Sequence, residues 1–195
     1  MNRTNGRIAE ESKKKFVGAL LELMKVYPYT DITVTQLSQE AELSRKTFYR
    51  LFDDKDDILT LLFDGLYLEC FTQIRQRNVK RYWELVQLYF DFWESRKEVL
   101  FLLSKSGLLP RMFEYVYRHG EQVFVALRSA DTANTFFASL PYLLAYSIGG
   151  MHSMLMKWVE SGMTVPSQVL IAQLKAGFLP DTRQVSPATP AHSSA

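Results

Sequence analysis

Between Ser44 and Phe52 the chain reads SRKTFYRLF, and Arg45, Lys46, Thr47, Tyr49 and Arg50 carry groups that can hold a phosphate or read a base edge. Guanidinium and ammonium groups donate to phosphate oxygens and to the acceptors of guanine, and the two hydroxyls reach phosphates or a thymine methyl. Side chains of this kind on one short helix form a cationic, hydrogen-bonding face, and a major groove about 12 Å wide accepts one α-helix. The chemistry expected is therefore recognition, with base preference set by Arg45 or Lys46. Catalysis is not expected: the chain holds no GxSxG, HExxH, P-loop or dinucleotide glycine pattern, and its histidines are His119, His152 and His192. Cys70, the single cysteine, excludes an intramolecular disulfide, and there is no Cys/His array of zinc spacing. Neither a metal nor a cofactor is expected, and Cys70 reads as a small buried hydrophobe.

A reading face needs elements that hold it, and the flanking residues supply them. Thr33 has the place of an N-cap with Gln36 at the third helical position, and Ile32 and Leu37 stand where a hydrophobic staple needs them. This predicts a short helix over about Val34 to Ala41, with Val34, Leu37 and Ala41 facing inward. Ser44 repeats the arrangement, with Leu43 and Phe48 as its staple, so two helices flank a three-residue turn. On the second helix Phe48, Leu51 and Phe52 share the buried face, which leaves the polar set on the others. Upstream, Phe16, Ala19, Leu20, Leu23, Met24 and Tyr27 recur at helical spacing until Pro28 ends the run. Downstream, Asp53 or Asp54 caps a long helix that continues to about Gln76, with Lys55 at its start beside the same surface.

These residues also carry a resemblance. The pattern TxxxLSxxAxLSRKTFYRLFxDKDDIL, Thr33 to Leu59, resembles the N-terminal DNA-binding signature of the TetR family of bacterial regulators, over roughly Ile8 to Tyr67. The resemblance implies that the helix from Ser44 is the recognition helix, that Tyr49 and Lys55 grip the phosphate backbone, and that Thr35 and Gln36 approach DNA from the supporting helix. The DNA-contacting set is then Thr33, Thr35, Gln36, Ser44, Arg45, Lys46, Thr47, Tyr49, Arg50 and Lys55. One position departs from the family: Glu42 stands where glycine is common, at a turn that can require φ > 0.

After Asn78 the helical pattern continues and becomes rich in aromatics, over Lys80 to Arg96, Glu98 to Ser106, Pro110 to Ser129, Asn134 to Glu160 and Ser167 to Gly177. Gly107, Pro110 and Gly120 leave the middle open between two helices and three. No strand is expected, so the fold class is all-α: a helix-turn-helix domain over 1–53 and a helical regulatory and dimerisation domain over 54–179. The tail 180–195 is small, polar and proline-containing and is expected to be disordered. Individually the aromatics read as ordinary core and interface. As a group, Tyr67, Phe71, Trp83, Phe90, Trp93, Phe113, Tyr117, Tyr142 and Tyr146 suggest an apolar pocket for an unidentified small-molecule effector, with His152 as one candidate anchor.

The segment MKWVESGMTVPSQVL, Met156 to Leu170, is similar to the join between the last two helices of many TetR-like regulators, where they form a four-helix bundle with a second subunit. Ile148, Gly149, His152, Leu155, Met156, Val159, Val169, Leu170 and Gln173 are the dimer-interface candidates, and small residues near Gly149 and Gly150 would let a partner helix approach. The partners expected are a palindromic duplex operator, a second copy of the chain and the effector. The formal charge of +2 neither supports nor excludes DNA, so binding must rest on local placement of Lys and Arg. The polar N-terminus and the lack of a long apolar run predict a cytoplasmic protein without a membrane span. The competing class is an adaptor of the same fold governed by a protein partner; an enclosed, polar-anchored cavity favours effector control and a solid core favours the adaptor.

Overall fold

The computed structural model describes residues 3–77, 79, 81–128 and 141–178; the tail 180–195, Lys80 and the start of the helix expected from Asn134 lie outside them. Among the described residues the chain is all-helical, with nine α-helices, one short 3-10 turn and no strand. α1 (Arg3–Val26) ends before Pro28, as the proline requires, and the 3-10 turn Tyr29–Asp31 follows. α2 (Val34–Glu40), α3 (Arg45–Leu51) and α4 (Lys55–Gln76) come next, then α5 (Tyr82–Ser95), α6 (Lys97–Lys105), α7 (Leu109–Arg128), α8 (Pro141–Glu160) and α9 (Ser167–Phe178).

The middle of the chain forms two helices, α6 and α7. Gly107 separates them because it alone ends a helix there with a left-handed residue, φ 67°, while Leu108 N–H returns to Leu103 O at 2.8 Å. Pro110 lies in the first turn of α7, where its missing N–H costs no helical bond, and Gly120 does not interrupt that helix.

α1 packs against α2, α3, α4 and α6, and so serves both ends of the molecule. α4 passes from α1 to α5 and α7, while α8 lies on α7 and α6, and α9 on α5. One buried cluster runs continuously through these contacts, from Phe16 and Leu20 through Phe48, Leu59 and Phe90 to Leu155 and Ile171. The end of the chain is pinned by polar bonds. The buried Ser167 hydroxyl lies 2.6 Å from Asp91 Oδ1 and 2.7 Å from Glu94 Oε2, and the Trp158 indole donates to Val165 O at 2.8 Å. Two carboxylates at the first turn of α9 also complement the positive end of that helix.

Candidate nucleic-acid interface and cavity

The helix-turn-helix is fixed by bonds between near neighbours. The Thr33 hydroxyl accepts from Gln36 N–H at 3.2 Å, and the Gln36 carbonyl oxygen accepts in return from Thr33 N–H at 2.9 Å, which completes a capping box. Ser44 Oγ accepts from Thr47 N–H at 3.0 Å and lies 2.9 Å from the Thr47 hydroxyl. Between the helices Glu42 holds φ 54°, with Leu43 N–H bonded to Ser38 O at 2.9 Å and Glu42 N–H to Gln39 O at 3.1 Å. These are the paired bonds of a Schellman cap, the arrangement that Gly107 makes after α6, here with a glutamate in the left-handed position.

Beneath the turn Phe16, Phe48 and Phe52 meet at ring-centroid distances of 5.4 to 5.7 Å, and Phe16 and Phe48 are wholly buried. α3 is thereby clamped on its apolar side. Arg45, Lys46, Tyr49 and Arg50 all face solvent, and among the described residues none of the three cations has an ion-pair partner. Arg45 leans over the Tyr49 ring, its Cζ 6.0 Å from the centroid. On α2 Thr35 is exposed and Gln36 half-buried, and on α3 Thr47 is half-buried.

Lys55 is placed differently from the other cations. Its ammonium donates to Tyr29 O at 2.7 Å, Thr30 O at 2.8 Å and Ile32 O at 3.0 Å, and lies 4.8 Å from the Tyr29 ring centroid. All three donors are used within the chain. In this arrangement Lys55 fastens the 3-10 turn ahead of α2 to the start of α4, and a phosphate would have to displace those carbonyls to reach it. The sequence could not give this, because the partners lie more than twenty residues upstream.

Asp56 closes the same bracket. It accepts from the Tyr29 hydroxyl and pairs with Arg111 on α7, Nη2 to Oδ2 at 3.1 Å. The Tyr29 hydroxyl bond, followed by that of Arg111, holds the Asp56 carboxyl below its usual range. Burial, then the Asp56 bond, pushes the Tyr29 phenol well above its ordinary value.

Arg111 stands next to Met112 and Phe113, which line a cavity of about 100 Å³ between α4, α5, α7 and α8. Tyr67, Phe71, Trp93 and Phe113 of the expected pocket residues reach it. Trp83, Phe90, Tyr117, Tyr142 and Tyr146 do not. Phe90 is fully buried against Trp158, and Tyr117, Tyr142 and Tyr146 are 52%, 86% and 62% exposed. Trp83 is half-buried beside Tyr82 at the α5 start. The remaining wall includes Phe63, Leu66, Cys70, Leu85, Tyr89 and Met151, which helical periodicity marks as apolar without telling a filled face from an empty one.

Polar atoms at this wall are few and uncharged. Burial pushes the Cys70 thiol and the Tyr67 phenol each up to about 12, and raises Tyr89 further, with Cys70 adding to that rise and the nearby Trp93 indole opposing it. His152 stacks on Phe113 with centroids 3.9 Å apart, and burial lowers its pKa. The Tyr67 hydroxyl donates to His119 O at 2.6 Å. Trp93 Nε1 is buried and, among the described residues, meets no acceptor in good hydrogen-bond geometry, although the Tyr89 hydroxyl is near enough for the indole to ease its ionisation.

The dimer-interface candidates divide. Ile148 and His152 face the cavity, and Leu155 and Val159 are buried in the chain's own core. Gly149, Met156 and Leu170 are half-buried, and Val169 and Gln173 are exposed. The α8 surface that does reach solvent carries Tyr142 and Tyr146, so these two aromatics belong with the outer face and not with the pocket.

No family model matches the chain. The HTH-type transcriptional regulator HbdR of Aromatoleum sp. (strain CIB) is 30% identical over 77 residues, 40% of this chain and 33% of that protein. The chain thus matches about a third of the length of that curated relative. A solved structure described as the fatty acid degradation regulator FadR from Bacillus halodurans superposes with a TM-score of 0.62 at 18% identity, covering 89% of this chain and 97% of that one. The likeness spans the α1–α4 unit and the helices behind it alike, and what the two chains share at that identity is the all-helical fold.

Proposed function

We propose that the chain is a TetR-type transcriptional regulator that binds a palindromic operator as a homodimer through α3, represses it, and lets go when a small molecule fills the cavity. The observation that carries the reading is the outer face of α3, where Arg45, Lys46, Tyr49 and Arg50 stand exposed above a clamped aromatic base and the three cations have no ion-pair partner among the described residues. Free cations on a rigid helix are what phosphate neutralisation and base-edge contact require. The likeness to HbdR, a transcriptional regulator by name, supports the same reading.

Dimerisation is supported by α8 and α9. Tyr142, Tyr146, Gly149 and Gly150 share a stripe of α8, a Cβ added at either glycine would meet open space, and Val169 of α9 is 45% exposed. Among the described residues nothing calls for glycine there, whereas a close partner helix does. Two copies related by a two-fold axis would offer α3 to half-sites about 34–36 Å apart. Control is supported by the adjacency of Arg111 to Met112 and Phe113: a ligand that moves α7 acts on Asp56, and through it on the Tyr29 turn ahead of α2. Such control requires the ligand to prefer one arrangement of the two. The cavity also favours a metabolite over a protein partner as the controlling agent.

Gel-shift titration against random duplex libraries tests the reading. We expect a selected sequence, a steep fall of affinity with salt, and loss of binding in Arg45→Ala and Tyr49→Ala. Absence of any selected sequence at low salt overturns it.

A further inference from the structure

We propose that the N-terminal part of α1 is a second DNA-contacting element, and that Arg7, Lys14 and Lys15 hold duplex phosphates flanking the half-site that α3 reads. This rests on the reading of α3 as the groove-entering helix and adds to it a grip that is indifferent to sequence.

The first fifteen residues hold five cations, Arg3, Arg7, Lys13, Lys14 and Lys15, against the carboxylates of Glu10 and Glu11, whereas the whole chain carries +2. Basic charge is therefore concentrated in one stretch, and the remainder carries no net positive charge. Lys13 is taken by Glu10 at 3.0 Å. Arg7, Lys14 and Lys15 are exposed, and among the described residues none has an ion-pair or side-chain hydrogen-bond partner. Arg7 and Lys14 lie two turns apart on one stripe, with Lys15 beside them.

This stretch runs past the core. Ser12 is the first buried side chain of α1, its hydroxyl bonded to Ile8 O at 2.9 Å, and Gly6, Arg7, Ile8, Glu10 and Glu11 before it are all exposed. From Arg3 to Glu11 the helix thus extends about 13 Å with no core beneath it. Its root is next to α3, because Phe16 lies edge-on to Phe48 and Phe52 at 5.4 and 5.7 Å. The other end of α1 leads to Tyr29 and through Asp56 to Arg111 of α7, which puts the extension at the end away from the cavity.

Charge complementarity selects the occupant. A duplex presents a phosphate about every 1.7 Å of its axis, and free, flexible cations beside a reading helix neutralise it without specifying bases. Lys55 uses its three donors within the chain, so the free basic charge adjoining α3 is that of α3 itself and of α1. A lipid surface fits less well, since Ile8 is the one large apolar side chain exposed along this stretch among the described residues.

The affinities of the full chain for a selected and a random duplex, measured by fluorescence anisotropy across a salt series, test the inference. Arg7→Gln, Lys14→Gln and Lys15→Gln together remove the charge at little cost in helix propensity. Both duplexes should bind about tenfold or more weakly with their affinity ratio unchanged, and the log–log salt slope should become shallower by about 2 or more, at about 0.9 per phosphate contact in each of two subunits. Lys97→Gln, Arg118→Gln and Lys157→Gln together remove three exposed cations from α6, α7 and α8 and should leave the slope where it was.

An unchanged slope in the α1 variant, with the selected duplex still preferred, overturns the inference and leaves α3 as the reading helix. Equal changes in the two triple variants assign the effect to net charge and overturn it as well. A fall in the selected-to-random ratio as large as that in Arg45→Ala overturns the phosphate role. Loss of binding to anionic vesicles with duplex binding intact overturns the choice of partner. Absence of any selected sequence for the unaltered chain overturns both the inference and the reading beneath it.

Discussion

The two ends of the molecule treat empty space in opposite ways. Around α2 and α3 the core is closed, with Phe16, Leu37 and Phe48 wholly buried; the buried Ser38 hydroxyl lacks a partner there, and Arg45, Lys46 and Arg50 stand outside with no ion-pair partner among the described residues. Between α4, α5, α7 and α8 a cavity of about 100 Å³ is left open inside the helices. A surface that reads a rigid groove gains from fixed geometry, because ordering it on binding costs free energy. A site that must change state with its occupant gains from room to repack.

The largest test of this contrast is removal of one side chain from each region. Phe48→Ala should cost about 3–5 kcal/mol in urea unfolding, since the ring is fully enclosed by its aromatic neighbours. Met151→Ala, at the edge of space that already exists, should cost about 1–2 kcal/mol. Equal losses would erase the distinction between a closed and an open core.

Next in size is a substitution that touches function without stability. Arg45→Ala should weaken binding to a selected duplex about tenfold or more, on the scale of about 1–3 kcal/mol per specific contact, and leave the unfolding midpoint where it was. A matching fall in stability would mean that the exposed face supports the fold instead of reading DNA.

Glu42 and Gly107 make a smaller comparison within the same motif. Both occupy the left-handed position of a Schellman cap, at φ 54° and 67°, and only the glycine does so without a steric penalty. Glu42→Gly should raise stability by about 1 kcal/mol, read from thermal unfolding. A loss of stability would show that the glutamate side chain makes up for its backbone.

The smallest expected effect lies at the join between the regions and depends on pH. The Asp56 carboxyl is held low by the Tyr29 hydroxyl and Arg111, so its contribution is present above the ordinary carboxylate range near about pH 4 and disappears as pH falls through its lowered value. Asp56→Asn should therefore lower the unfolding midpoint at pH 6, and the gap from the unaltered chain should close in more acidic solution. A gap that persists unchanged at pH 2 would assign the loss to packing.

Legibility in the sequence follows the range of each interaction. The caps at Thr33 and Ser44, and the ends of α1 at Pro28 and α4 at Gln76, depend on neighbours within four residues, and local spacing places them; between Asp53 and Asp54 it leaves the α4 cap open, and the structure assigns it to Asp54. The left-handed turn at Glu42, φ 54°, was indicated only by the family resemblance, which has glycine at that position, and not by the local spacing. Nor does local spacing place the contacts of Lys55, since an exposed helix start is what the sequence indicates while three carbonyls more than twenty residues away decide them.

The cavity was the least legible feature for a similar reason. Ile148 and His152 belong to an apolar helix that must bury more than one side, and periodicity cannot say which side meets a partner and which meets a void. Tyr142 and Tyr146, on the same helix, were exchanged with them: expected inside, they stand in solvent.

The most direct test of a dimer reading DNA through α3 is a hydroxyl-radical footprint of the full chain on a duplex selected from a random library. Two protected stretches are expected, centred one helical turn apart, about 34–36 Å along the axis, both lost in Arg45→Ala. A single protected stretch, or two that survive the substitution, would contradict it.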